Sequence, residues 1–389
     1  MNINERLKTA MDRSVSAENG EAGAAAIIMK DGQELARYCC GYSDIEKGTP
    51  FTEHTICRAF SCSKVATGTA VMQLLERGII ELDSRLEWFI PEFSDAHYLR
   101  GGRKIKVSRP ITIRDLLNMT SGIAYPAAPQ EGMEGIEGMN DVWDELDKSY
   151  REGAQISTME FAKKAGRCPL MFDTGAEWQY GASADILGAV VEAVSGKRFG
   201  DYMRENIFAP LGMEDTDFYV PADKLDRLAL FYEGTGKDRH LLEWVNLAIF
   251  DYTEDPAFQS GGAGLFTTAS DYSKLAAALS NGEYNGTRIL GRKTIDFMRQ
   301  NALTPEQKKT FNWDSCRGYG YANLCRTLED GNAASLIASK GSFGWDGWSG
   351  TYILNDPDER MSVVVFVQRA GAGTTSLAKA AVNAAYSCI

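Results

Sequence analysis

Apolar positions recur with a helical period near the start of the chain, where Leu7, Ala10, Met11 and Val15 fall on one face. The pattern then changes to two apolar runs within residues 23–40, joined at Lys30-Asp31-Gly32. Asp-Gly between such runs supplies the positive-φ positions of a tight turn, so a β-hairpin is predicted. Residues 61–78 are apolar or small on every side and stop at Gly78, a residue suited to the position past a helix end. They predict a central, buried helix starting near Ser61, because Ala66, Gly68 and Ala70 let neighbours approach closely from several directions. Residues 95–110 are polar and basic and are expected to form an exposed loop. Residues 111–117 read as a helix capped by Thr112, with Asp115 completing a capping box. Residues 124–156, rich in Gly, Pro and acids, are expected to be a surface insertion or a mobile lid. Helices are predicted over 158–165, 184–194 and 199–207. From Ser260 a Gly-rich turn leads into a short strand, then a helix over 271–279 with Ser270 as its cap. Strands over 319–324, 343–345, 350–355 and 361–368 precede a last helix over 375–386.

This order, strands at both ends around a long helical middle, predicts an α/β (α+β) sandwich. An antiparallel sheet flanked by helices would carry an all-helical subdomain. The expected division is a discontinuous sheet domain, 1–85 with 257–389, and a mainly helical subdomain, 86–256, with a cleft between them.

Composition narrows the possible functions. Of 389 residues, 44% are apolar and 24% charged, as in ordinary globular proteins, and the formal net charge of −12 argues against nucleic-acid or anionic-membrane partners. No run approaches the length of a membrane span, and the N-terminus has no signal-peptide pattern, so a cytoplasmic location is expected. The eight cysteines lack Cys-x-x-Cys spacing and read as reduced thiols; the three histidines form no zinc pattern, so neither a metal nor a cofactor is expected.

The chemistry centres on Ser61 and Lys64. Three positions apart on a helix, they share one face, and an amine beside a hydroxyl can accept its proton. Taken alone, the pair is equally compatible with a capping serine and a solvated lysine. Neither Cys62 nor Ser63 shares that face with Lys64, and no histidine lies in a Gly-x-Ser-x-Gly setting.

Four stretches in fixed order add weight. They are Phe60-Ser61-Cys62-Ser63-Lys64, Ile111-Thr112-Ile113-Arg114-Asp115-Leu116-Leu117 with Thr120-Ser121-Gly122, Trp178-Gln179-Tyr180 with Leu187-Gly188, and Gly344-Trp345-Asp346-Gly347-Trp348-Ser349-Gly350-Thr351. Together they resemble the serine β-lactamase and penicillin-binding-protein-like superfamily, in its class C-type branch of carboxylesterases, D-aminopeptidases and acyltransferases. The resemblance runs from about residue 20 to about residue 370. It implies Ser61 as the acylated nucleophile, Lys64 as its activator, and Tyr180 as a tyrosinate-like general base. It also implies an oxyanion hole made by the backbone N–H groups of Ser61 and Trp348, with Trp345, Asp346, Gly347 and Ala182 lining the substrate site.

Two departures from the family pattern shape the expected substrate. Ala182 stands where an Asn is usual, and Trp345-Asp346-Gly347 replaces Lys-Thr-Gly. An anion at Asp346 would repel a substrate carboxylate, so neutral or cationic substrates are expected, and penicillins and D-Ala-terminated peptides fit poorly. The expected function is an esterase of neutral small-molecule esters. The alternatives are an acyltransferase, a peptidase or amidase, and a non-catalytic ligand-binding or sensor descendant. Substrate detail is expected to depend on residues 124–156 and 226–256. The partner implied is a small-molecule ester or amide, and the sequence leaves the oligomeric state open.

Overall fold

The computed structural model describes residues 2–16, 20–130, 132–242, 253–387 and 389. Its spine is an eight-stranded antiparallel sheet. In spatial order the strands are Tyr319–Ala322, Cys325–Leu328, Phe343–Asp346, Tyr352–Asp356, Met361–Phe366, Gly23–Lys30, Gln33–Asp44 and Thr49–Pro50. The N-terminal hairpin thus pairs directly with the last strand, Ile27 opposite Val364 and Ile28 opposite Val363. Its turn is made by Asp31 and Gly32 at φ 53° and 76°, as the Asp-Gly pair predicts.

Both faces of this sheet are covered, and the alternation of side chains along a strand explains how. Ala24, Ala26 and Ile28 share a core with Leu7 and Met11 of helix Ile3–Ser16 and with Leu377, Ala381 and Ala385 of helix Ser376–Tyr386. Ala25, Ile27 and Met29 face the other way, into the large core that holds Leu275 and Leu279 of helix Ala269–Asn281. That same core takes in the central helix Ser63–Glu76 and helix Ser183–Ser195. Residues 63–74 of the central helix are all buried. Small side chains are what permit this: a Cβ on Gly68 would sit 2.8 Å from the carbonyl oxygen of Asn323.

Several local expectations need correction. The 95–110 stretch is not a loop but pairs His97–Arg100 with Arg103–Lys106 around Gly101-Gly102. Helix Ala269–Asn281 is capped by Thr268, whose hydroxyl accepts from the N–H of Asp271, rather than by Ser270. Strand Cys325–Leu328 was not anticipated. The turn before it places Asn323 and Leu324 at φ 53° and 64°, and leucine is no sequence signal for a left-handed turn. It is held instead by tertiary contact, Leu324 N–H donating to the Leu117 carbonyl at 2.7 Å.

The largest correction concerns residues 124–156, which are neither a loose insertion nor a lid. They contain helix Ile136–Arg151, which buries Ile136, Met139, Val142, Trp143 and Leu146 along one face. Trp143 packs against Phe161 at 4.9 Å between ring centroids and against Tyr125 at 5.8 Å. Trp143→Ala is expected to cost about 3–5 kcal/mol, the usual range for deleting a fully buried large aromatic, read as a lower urea midpoint of unfolding. Within the 226–256 stretch, residues 243–252 lie outside the described residues.

Candidate active site

The segment that carries Ser61 is a short 3-10 turn, Phe60–Cys62, that feeds the central helix Ser63–Glu76. Ser61 therefore sits just before the α-helix rather than capping it. Phe60 holds a left-handed φ of 46°, unusual for a residue with a side chain. Its ring packs against Phe231 and Trp348, with centroids 5.3 and 5.4 Å away, and those two rings also meet each other at 5.6 Å. The backbone bend leaves Ser61 half-exposed, while its neighbours Cys62 and Ser63 are buried. Ser63 Oγ accepts the N–H of Leu265 at 3.1 Å, so this second serine is occupied in the core.

Tyr180 and Lys64 converge on Ser61. The Tyr180 hydroxyl donates to Ser61 Oγ at 2.6 Å, and Lys64 Nζ lies 3.3 Å from the same oxygen. Lys64 is fully buried. It also donates to the Gly262 carbonyl at 2.7 Å and to the Tyr125 hydroxyl at 3.0 Å. The Tyr125 hydroxyl in turn reaches Asp185 Oδ2 at 3.3 Å, and Asp185 Oδ1 accepts from the Ser260 hydroxyl and from Gly262 N–H. Burial lowers the Lys64 amine to about 7, with the Asp185 carboxylate pulling the other way. Burial pushes Asp185 up, opposed first by Lys64.

Burial also pushes the Tyr180 phenol above its ordinary range, against the hydrogen bonds it shares with Ser61 and Trp345. This is the opposite of what a tyrosinate requires. The Tyr180 oxygen takes a hydrogen bond from Trp345 Nε1 at 3.1 Å, and the two rings stack at 5.6 Å.

Tyr125, Asp185 and the Gly262 carbonyl were missed from the sequence. Asp185 left one signal, a carboxylate among the apolar residues of the first turns of helix Ser183–Ser195. Tyr125 left none, because it lies in the Gly- and Pro-rich stretch 124–156, whose composition suggests an insertion. Gly262 has no room for a side chain, since a Cβ there would lie 2.3 Å from the Tyr125 hydroxyl oxygen. Ala182 is buried and precedes helix Ser183–Ser195 without a side-chain cap. The adjacent Ser183 Oγ pairs with Ser121 Oγ at 2.9 Å, so it does not stand in for the missing amide.

The opposite wall is the end of strand Phe343–Asp346 and the turn after it. Among the described residues, the backbone N–H of Trp348 has no hydrogen-bond partner. The turn is stitched to the segment that carries Ser61: Thr351 Oγ1 donates to the Ala59 carbonyl at 2.7 Å, and Ser349 Oγ donates to the Arg58 carbonyl at 3.0 Å. Gly347 lies inside this seam, where a Cβ would come within 2.1 Å of Thr351 Oγ1 and 2.4 Å of the Ala59 oxygen. Gly347→Ala is therefore expected to spread the seam and displace Trp348 N–H. The expected loss is about 100- to 1,000-fold in kcat on a chromogenic ester, the scale of removing one oxyanion donor.

Between the two walls lies a cleft of about 400 Å³, lined by Ser61, Tyr180, Trp313, Trp345, Asp346 and Trp348 together with Ser315, Gly347 and residues 372–374. Its walls are largely aromatic. Asp346 is not the lone anion expected from the sequence. The buried Arg326 guanidinium lies 3.5 Å from Asp346 Oδ2, and the Thr374 hydroxyl donates to the same oxygen. Repulsion of a substrate carboxylate, and attraction of a cation, are both weakened by this pairing. Arg326 was not anticipated, because strand Cys325–Leu328 was not.

The histidines contribute nothing here: none of the three lines the cleft. Among the described residues, no group of three or more metal-ligating side chains occurs, and no helix is long and apolar enough to cross a membrane.

Comparison with known proteins gives a consistent picture. The sequence profile of the family described as Beta-lactamase matches residues 4–386. Esterase EstB of Burkholderia gladioli is 28% identical over 386 residues, covering 95% of this chain and 91% of the esterase. Monacolin J acid methylbutanoyltransferase of Aspergillus terreus is 27% identical over 326 residues, covering 79% of this chain and 73% of the transferase. Among solved structures, that of EstCE1, titled a hydrolase with promiscuous acyltransferase activity, superposes with a TM-score of 0.80 at 24% identity. It covers 99% of this chain and 98% of EstCE1, and that likeness concerns the fold.

Proposed function

Since this chain belongs to the Beta-lactamase family, and its esterase and acyltransferase relatives make it a serine hydrolase-type enzyme, we propose that it hydrolyses neutral small-molecule esters through an acyl-enzyme on Ser61. The observation that carries this reading is the convergence of Tyr180 and Lys64 on one half-exposed serine oxygen at the floor of an aromatic cleft.

The proton path follows from the contacts. A neutral Lys64 keeps two N–H groups for the Gly262 carbonyl and the Tyr125 hydroxyl. Its lone pair then faces Ser61, the longest of the three contacts at 3.3 Å. In acylation Lys64 takes the Ser61 proton, Ser61 Oγ bonds to the ester carbonyl carbon, and the N–H groups of Ser61 and Trp348 receive the oxyanion. The Tyr180 phenol, neutral in the resting site, protonates the departing alkoxide, and Trp345 Nε1 steadies the phenolate that forms. In deacylation water gives a proton to that phenolate and attacks the acyl carbon. The Lys64 ammonium then returns its proton to Ser61 Oγ, which restores the starting state. An alcohol in place of water makes the same sequence an acyl transfer. Esters are favoured over amides because an alkoxide leaves with less help from a general acid.

A fluorophosphonate probe tests the reading. Mass spectrometry should find one adduct, on the peptide containing Ser61, and turnover of a p-nitrophenyl ester should disappear with it. An unlabelled, unreactive Ser61 in folded protein would favour the ligand-binding alternative.

A further inference from the structure

The cleft holds one acceptor that the proposed chemistry does not use. Arg326 Nη1 and the Thr374 hydroxyl both address Asp346 Oδ2. Asp346 Oδ1 has no partner among the described residues, and it is not among the enclosed polar atoms left without one. The Asp346 side chain is 13% exposed, and the residue lines the cleft beside Ser61. The carboxylate is also held from behind. Arg326 is 2% exposed, donates to the Thr374 hydroxyl at 2.8 Å and to the Ser315 carbonyl at 3.3 Å, and lies over the rings of Tyr319, Trp345 and Tyr352. Oδ2 is thus committed to the protein and Oδ1 is open to whatever fills the cleft.

We infer that Asp346 Oδ1 is a specificity determinant that accepts a hydrogen bond from a hydroxyl on the substrate, so the preferred substrates are hydroxylated neutral esters. This rests on the reading of Ser61 as an ester-cleaving nucleophile. A carboxylate paired to a guanidinium keeps its acceptor capacity while losing most of its net charge. That combination favours a neutral donor over an ammonium group. The surroundings sharpen the preference. A plain aliphatic ester packed between Trp313, Trp345 and Trp348 would cover Oδ1 and leave it unsatisfied, whereas a hydroxylated one satisfies it.

The test compares matched pairs of esters on the whole protein. One pair places the hydroxyl in the acyl half (p-nitrophenyl 3-hydroxybutyrate against p-nitrophenyl butyrate). The other places it in the alcohol half (ethylene glycol monobutyrate against ethyl butyrate). In at least one pair kcat/KM should favour the hydroxylated ester by about 10- to 100-fold. Asp346→Asn gives the sharper readout. Arg326 and Thr374 hold the amide oxygen at the Oδ2 position, which turns the NH2 toward the substrate and replaces the open acceptor by a donor. The preference should then fall to about one or below, with both esters of the pair still cleaved. Equal rates within both pairs in the wild-type protein overturn the inference without needing any variant, as does a preference that survives Asp346→Asn. Failure of the underlying reading looks different: none of the four esters is cleaved and fluorophosphonate does not label Ser61, and the inference falls with it.

Discussion

Ser61→Ala is expected to lower kcat/KM for a p-nitrophenyl ester by about 10,000-fold or more, to the level that binding and the oxyanion donors sustain without a nucleophile. The structure offers no substitute. Ser63 and Cys62 are buried, and Ser63 Oγ is engaged by Leu265 N–H. Burial also raises the Cys62 thiol to about 12, far from a thiolate at neutral pH. Folding should be nearly untouched, because among the described residues Ser61 Oγ shares hydrogen bonds only with Tyr180 and Lys64. The same preparation should therefore keep its circular dichroism and its urea midpoint to within about 1 kcal/mol. Substantial residual turnover by a folded Ser61→Ala protein would mean that the nucleophile has been misidentified.

The second large effect is on the proton acceptor, and it carries a pH signature. Lys64→Ala should cost about 100- to 10,000-fold in kcat/KM, the usual scale of general-base catalysis. In the wild-type protein only the neutral amine can accept the Ser61 proton. Its conjugate acid loses that proton near pH 7, so kcat/KM should fall tenfold per pH unit below about 7 and level off above it. The buried Asp185 carboxylate favours the charged amine and so raises the Lys64 pKa. Asp185→Asn should therefore move the acid limb to lower pH. A Tyr180 base would behave differently, since burial drives that phenol upward and activity would continue to climb into the alkaline range. A profile without a limb near neutrality, or one displaced upward by Asp185→Asn, would overturn the assignment of Lys64.

The parts of the fold that were readable from the chain are those set by local pattern. Asp31-Gly32 defines its hairpin, Thr112 and Asp115 their capping box, and the all-round small and apolar 61–78 stretch its buried helix. What escaped was set by contacts between distant segments. The turn at Asn323-Leu324 offers only one favourable residue, Asn323, beside a leucine that signals none, so strand Cys325–Leu328 and the Arg326 it carries stayed hidden. Helix Ile136–Arg151 was obscured by the Gly- and Pro-rich residues before it, although its buried face runs at helical spacing from Ile136 to Leu146. The site divides in the same way. Ser61, Lys64 and Tyr180 belong to motifs, and the structure brings them within hydrogen-bonding reach of one another. Tyr125, Asp185 and Gly262, which surround Lys64, come from three separate segments that only folding unites. One expectation was weakened by a residue outside the motifs, as Arg326 partly offsets the charge that Asp346 was expected to present.

The left-handed Phe60 has a consequence beyond exposing its neighbour. A non-glycine residue in that conformation stores about 1–3 kcal/mol, and something must hold it in place. Here the support is aromatic: Phe60, Phe231 and Trp348 pack against one another as a cluster of three rings. Trp348 is also 36% exposed at the cleft and carries the free backbone N–H. The strained bend and the cleft wall thus share one aromatic cluster. A substitution at Trp348 therefore touches the support of the bend before Ser61 as well as the wall of the cleft.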